Sequence, residues 1–239
     1  MTTYVLVHGA WGGAHGFRHV RRLLHKAGHE VFTPSLTGIG ERSHLTGPHV
    51  CLSTHVRDVV NTILYEDLDG IVLAGYSYGG FVVTGALDHI GDRVAHLVFV
   101  DAFVPHDRDT VIGLAGGPPP GPITIGQEWL VPPAPRDYDD PDEAAFADAR
   151  RSPQPIGCFT EPVHLRRPLE SFPFTRTYVK ATAERPDAPA GPVFWAAADR
   201  ARQSPSWRYR EIATNHMIPS NRPDELVELL LELTADATA

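Results

Sequence analysis

Ile71-Val72-Leu73-Ala74-Gly75-Tyr76-Ser77-Tyr78-Gly79-Gly80 is the stretch whose reading decides the fold. Its first four residues are wholly apolar, as in a short strand covered on both faces. Residues 81–89 follow with helix-compatible spacing. Between them lies Gly-x-Ser-x-Gly, and strand, tight turn and helix is the context in which that pattern carries chemistry. The turn is too sharp for large neighbours, so Gly75 and Gly79 keep the backbones clear and the Ser77 hydroxyl is pushed into an open site. The backbone N–H of Tyr78 opens the helix and points the same way. One turn thereby offers a nucleophile and one half of an oxyanion hole. The competing reading is a glycine-rich structural turn.

Working outward, residues 4–7 form another apolar run, ending at His8-Gly9-Ala10-Trp11-Gly12-Gly13. Residues 15–27 have helical spacing, with Phe17, Val20, Leu23 and Leu24 on one side and Gly28 as the stop. Residues 30–33 read as a strand ended by Pro34, and 35–48 as a polar, glycine-rich loop. Ser53 is placed to cap a helix running to about Tyr65. Residues 97–100 form a fourth strand that ends at Asp101. Downstream, 175–181 and 209–213 read as strands, 190–203 as a helix, and a last helix runs from Pro223 to about Leu233. Strands alternate with helices, which predicts an α/β fold with a doubly wound, mostly parallel sheet. Its site should lie at the strands' C-terminal ends.

Composition shifts near residue 105. Residues 105–173 hold a proline- and glycine-rich run at 116–122, further prolines at 132, 133, 135 and 141, and a helix-like piece near 141–151. This is not sheet sequence, yet Trp129, Leu130, Phe146, Phe159 and Leu165 offer apolar anchors. It reads as a lid inserted into a core made of residues 1–104 and 174–239. Trp129 and Phe159 from the lid, with Trp11 and Tyr76 from the core, are expected to shape the substrate pocket.

The 239 residues, 42% of them hydrophobic, suit one such domain with its lid. A net charge of −8 and the lack of a polybasic run argue against nucleic acid or membrane partners. Cys51 and Cys158 read as two buried thiols. The N-terminus runs straight into a strand, so a cytoplasmic location is expected. His15 and His19 stand four apart without a third ligand, and no metal or nucleotide cofactor is expected.

Serine needs a base to act as a nucleophile at neutral pH. In this sheet order the base comes from the loop after the last strand, where His216 stands. His8 also ends a strand, but its place before a glycine turn suits shaping of an oxyanion loop. The base in turn needs a carboxylate. The chain order Ser, acid, His points after the strand at 175–181, to Glu184 or else Asp187. Asp101, at the tip of the strand after the nucleophile, is the third option. Ala10, in the loop after the first strand, is the expected second oxyanion donor beside Tyr78. The tyrosines flanking the serine either touch substrate or pack beside the turn.

With these residues placed, the chain resembles the α/β-hydrolase superfamily, and within it the branch of small bacterial carboxylesterases, plant hydroxynitrile lyases and salicylate-type methyl esterases. The matching segments are residues 4–11, 36–45, 75–80, 100–105 and 215–216. The resemblance implies Ser77 and His216 as nucleophile and base, Glu184 as the matching acid, and Ala10 and Tyr78 as oxyanion donors. It places Asp101 at a position usually acidic in the bacterial members but not assigned catalysis. Lyases of the branch carry a threonine after the first-loop histidine and a lysine after the catalytic one. Here those positions are Gly9 and Met217, so lyase activity is not expected. The function expected is cofactor-independent serine hydrolysis of a small-molecule carboxylic ester, by a monomer or a homodimer. The alternatives are a thioesterase, lactone hydrolase or cyclase on a biosynthetic acyl intermediate, and a non-catalytic binding protein of the same fold.

Overall fold

Successive residues of the first strand, β1 (Thr3–Val7), enter two different cores. Tyr4 and Leu6 belong with Phe17, Val20, Leu24, Leu226 and Leu230. Val5 and Val7 belong with Val59, Phe81, Val82 and Val83 on the other face. Side chains alternate along a strand, so one covered on both faces must be apolar at nearly every position. That is why the short apolar runs in the sequence mark the sheet. Each large side chain fully buried in these cores stabilises the fold by roughly 1.5–3 kcal/mol.

The computed structural model describes residues 1–117, 126–183 and 191–235. After β1 come α1 (Arg18–Lys26), β2 (Glu30–Phe32), α2 (Leu52–Tyr65), β3 (Ile71–Tyr76), α3 (Gly79–Ile90) and β4 (Val94–Val100). The segment that follows carries α4 (Val111–Ala115), β5 (Leu130–Val131), α5 (Pro141–Asp148), β6 (Gln154–Pro155) and α6 (Gly157–Thr160). The chain then returns through β7 (Thr175–Ala181), α7 (Gly191–Gln203), β8 (Arg208–Ile212), α8 (Ile218–Asn221) and α9 (Pro223–Ala235).

Six strands form one parallel sheet in the order β2-β1-β3-β4-β7-β8. Helices α1 and α9 cover one face, and α2, α3 and α7 the other. From β1 the chain crosses to β2 on one side and to β3 on the other. Such a reversal leaves a crevice at the strands' C-terminal ends. Val7 is level with Gly75, Gly75 with Phe99, and Val100 with Val179, so the loops leaving β1, β3, β4 and β7 start side by side.

Local details depart from the sequence reading at several points. Cys51, not Ser53, caps α2: Cys51 is extended, and its N–H donates to Thr54 Oγ1 at 3.4 Å. Ser53 lies inside the helix, where its N–H reaches Glu161 Oε2 at 2.7 Å. The segment between β4 and β7 contains a two-residue antiparallel pair, β5 with β6. Its Phe159 and Leu165 are buried anchors, as expected. Residues 118–125, most of the proline-glycine run, lie outside the described residues. Cys158 is buried and Cys51 half-buried, both as free thiols. Among the described residues no helix is long and apolar enough to cross a membrane.

Candidate active site

Ser77 follows β3 at φ +56°, a left-handed conformation costly for a residue with a side chain. Its surroundings hold it there. Its N–H donates to Val100 O at 3.3 Å, and its carbonyl accepts from Gly80 N–H at 3.1 Å and Phe103 N–H at 3.2 Å. The turn closes only because its flanks are bare: a Cβ on Gly75 would sit 2.8 Å from the Gly79 carbonyl oxygen. The first loop approaches as closely, since a Cβ on Gly9 would lie 3.0 Å from Ser77 Cβ. A larger residue at position 9 would therefore displace the nucleophile or the loop.

His216 leaves β8 and reaches back over the sheet. Its Nε2 lies 2.9 Å from Ser77 Oγ, and its Nδ1 lies 2.7 Å from Asp101 Oδ2. A carboxylate only accepts, so Nδ1 carries the proton and Nε2 is free to accept from the serine hydroxyl. The imidazole is also held by stacking. The Phe194 ring lies 4.9 Å from it at 8°, and the Tyr76 ring 5.0 Å away at 29°. The Tyr76 hydroxyl donates to the His216 carbonyl at 2.9 Å, which fixes ring and backbone together.

Asp101 thus occupies the place beside Nδ1. It ends β4, the strand next to β3, and is fully buried with φ +39°. Its own N–H donates to Val179 O at 2.7 Å. Its second oxygen, Oδ1, accepts from Lys180 Nζ at 2.6 Å and from Ala181 N–H at 3.3 Å. Lys180 is itself completely buried, donates to Ala181 O at 3.0 Å and lies over the Trp195 ring. Burial alone would raise the Asp101 pKa. The hydrogen bond and charge of His216, with Lys180 behind them, outweigh burial and hold the carboxyl below its ordinary range. Glu184 and Asp187, favoured for this place from chain order, lie outside the described residues.

His8 is built differently. Its Nδ1–H donates to Gly9 O at 2.9 Å, and its Nε2 accepts from Leu36 N–H at 3.1 Å. Burial pushes its pKa down to about 4, so it is neutral at pH 7. It ties the first loop to the loop after β2, as a loop-shaping histidine should. Trp11 continues this bracing. Its N–H donates to Gln154 Oε1 at 2.9 Å, its indole N–H to Val131 O at 3.0 Å, and its carbonyl accepts from Ser152 N–H at 3.0 Å. With its backbone N–H engaged, Trp11 has no main-chain donor to offer the cleft. Among the described residues neither Ala10 N–H nor Tyr78 N–H has a hydrogen-bond acceptor in the protein. The Tyr78 side chain points away into the core, its hydroxyl 2.9 Å from His55 Nδ1.

The cleft at Ser77 is lined by the first loop with Tyr76 and Met217, and by Arg136, Tyr138, Glu143 and Arg151 from the segment between β4 and β7. Of the four residues expected to shape a pocket, only Tyr76 lines this cleft. Trp11 and Phe159 pack against each other within the core, ring centres 5.7 Å apart and tilted by 35°, because the indole N–H needs the carbonyl of Val131. Trp129 accepts from Ile156 N–H at 2.7 Å through its carbonyl, beside the β5–β6 pair. Arg136, Arg151, Phe194 and Lys180 were not singled out from the sequence. Their roles arise from contacts between segments, and only the lysine, next to a strand end, carries any local signal.

A buried carboxylate, an imidazole of fixed tautomer, a strained serine and two idle N–H groups at one strand edge can activate a hydroxyl and stabilise an oxyanion. A model of the alpha/beta hydrolase family matches residues 4–229. A carbendazim-hydrolysing esterase of Nocardioides sp. (strain SG-4G) is 33% identical over 249 residues, covering 98% of this chain and 100% of the relative. An extracellular alpha/beta-hydrolase from a Paenibacillus species has the same fold, with TM-score 0.74 at 23% identity over 97% of this chain and 98% of its own. A methylesterase from Arabidopsis has it too, with TM-score 0.75 at 21% identity over 98% and 99% of the two chains.

Proposed function

The chain belongs to the alpha/beta hydrolase family, and from that premise we propose that it is a serine esterase working through an acyl-enzyme on Ser77. One observation carries the reading: the unbroken chain from Asp101 through His216 to Ser77, at 2.7 and 2.9 Å. Ser77 Oγ attacks the ester carbonyl while His216 Nε2 takes its proton. The Ala10 and Tyr78 N–H groups receive the oxyanion, an interaction worth about 3 kcal/mol of transition-state stabilisation per donor. Collapse of the tetrahedral intermediate returns the proton from Nε2 to the leaving alcohol. Water, deprotonated by the same nitrogen, then releases the acid. Asp101 keeps the proton on Nδ1 throughout and stabilises the transient imidazolium. With its pKa below the ordinary range, it is ionised at neutral pH.

Hydrolysis of p-nitrophenyl acetate tests this. Ser77→Ala is expected to lose about six orders of magnitude in kcat, with an unchanged circular dichroism spectrum. The fluorophosphonate-labelled peptide should be the one containing Ser77. Full turnover by the alanine variant, or label on another residue, would refute the mechanism.

A further inference from the structure

Two guanidinium groups line the cleft that holds Ser77, Arg136 and Arg151, both from the segment between β4 and β7. Their partners do not use them up. A guanidinium has five N–H donors. Arg151, with a side chain only 9% exposed, places one donor on Ala134 O at 2.5 Å. Its nearest carboxylate, Asp148, is 3.6 Å away and 60% exposed to water. Among the described residues Arg136 has neither a carboxylate within ion-pair distance nor a protein hydrogen bond, and it lies 5.6 Å from the centre of the Trp11 ring. Burial and the charge of Arg136 together lower the Arg151 pKa, as expected for two cations near one space.

The other charged groups of the cleft do not cancel this pair. Glu143 lines it but is held by both outer nitrogens of Arg18 and by His19 at 3.3 Å. His15 faces Glu41 at 3.6 Å. The cleft is thus locally positive on a chain whose net charge is −8. Neutral esters need no such arrangement, whereas a carboxylate matches the planar guanidinium fork.

We infer that Arg136 and Arg151 form an anion subsite, and that the preferred ester carries a carboxylate on the part of the molecule beyond its scissile bond. The inference rests on the serine-esterase reading for the identity of the ester, but not for the binding of the anion. Arg136 supplies the uncommitted charge, and Arg151, held by Ala134, supplies a fixed one.

The test uses the Ser77→Ala protein, which holds an ester without cleaving it, titrated calorimetrically with monomethyl glutarate and with methyl pentanoate. The monoanion is expected to bind at least tenfold more tightly. Adding Arg136→Gln should remove most of that advantage, Arg136→Lys should keep part of it, and Arg151→Gln should reduce it. Raising NaCl should shrink it further. Equal binding of the two esters, or an advantage that survives Arg136→Gln, overturns the subsite. Turnover of p-nitrophenyl acetate by the unmodified protein reports separately on the esterase reading, so the two can fail independently.

Discussion

The loops after β1 and after β8 each present a histidine at the same edge of the sheet, and the two histidines have been put to opposite uses. His8 spends both ring nitrogens on the backbone, one on Gly9 O and one on Leu36 N–H. His216 spends one nitrogen on a buried carboxylate and leaves the other 2.9 Å from a serine hydroxyl. For His8, burial outweighs both the bond to Gly9 O and the charge of Glu41, and keeps the ring neutral. What separates them is whether the second nitrogen meets a fixed backbone group or a reactive one.

The sharpest way to break that contrast is to exchange the losses. His216→Ala should cost about six orders of magnitude in kcat, equivalent to about 8 kcal/mol of barrier. His8→Ala should keep kcat within about tenfold and lower stability by about 1–3 kcal/mol, the cost of leaving a buried N–H unpaired. Steady-state kinetics and urea unfolding on both variants decide this, and matching losses of kcat would erase the distinction.

Asp101→Asn is next in size. The amide preserves shape but can donate to Nδ1, favouring the wrong tautomer, so kcat should fall about 10⁴-fold. A fall below tenfold would move the carboxylate's role elsewhere. Lys180→Ala probes the support behind it. Breaking a fully buried ion pair costs about 3–5 kcal/mol, and urea unfolding should show a loss of that size.

The last effect is titrational and belongs to the structural histidines. His8 and His55 are buried, with pKa values lowered from 6.5 to about 4. Between those values the unfolded chain binds protons that the folded one refuses. Stability is therefore highest above pH 6.5, falls as pH drops from 6.5 to 4, and levels off below, by on the order of 3 kcal/mol per histidine. In His8→Asn the urea midpoint should fall less steeply over that window. An unchanged slope would mean that His8 is not held neutral by burial.

Much of this was legible without coordinates because it depends on local chemistry. β1, β3 and β4 announced themselves by apolar residues on both alternations, β7 has the boundaries read from sequence although it carries Arg176 and Lys180, and the edge strand β8 is largely polar. Ser77 was legible because a left-handed turn between a strand and a helix leaves room only for small flanks. The short helices α4, α6 and α8 were not legible, since four or five residues cannot show a helical period. Trp11 and Phe159 looked like pocket residues because an aromatic in a loop reads the same whether it faces a cleft or a core. The partner of the indole N–H, Val131, is 120 residues away.

Sequence by itself determined that a strand-turn-helix presents Ser77, and that a histidine returns to it from beyond the last strand. Backbone sterics and hydrophobic alternation act over a few residues, so they can be read in order along the chain. Only the tertiary structure decided that Asp101, 115 residues from His216, meets Nδ1, and that Lys180 stands behind it. Adjacency of β4 to both β3 and β7 is a property of the assembled sheet. The same holds for the two arginines of the cleft, which owe their shared space to the fold of the segment that carries them.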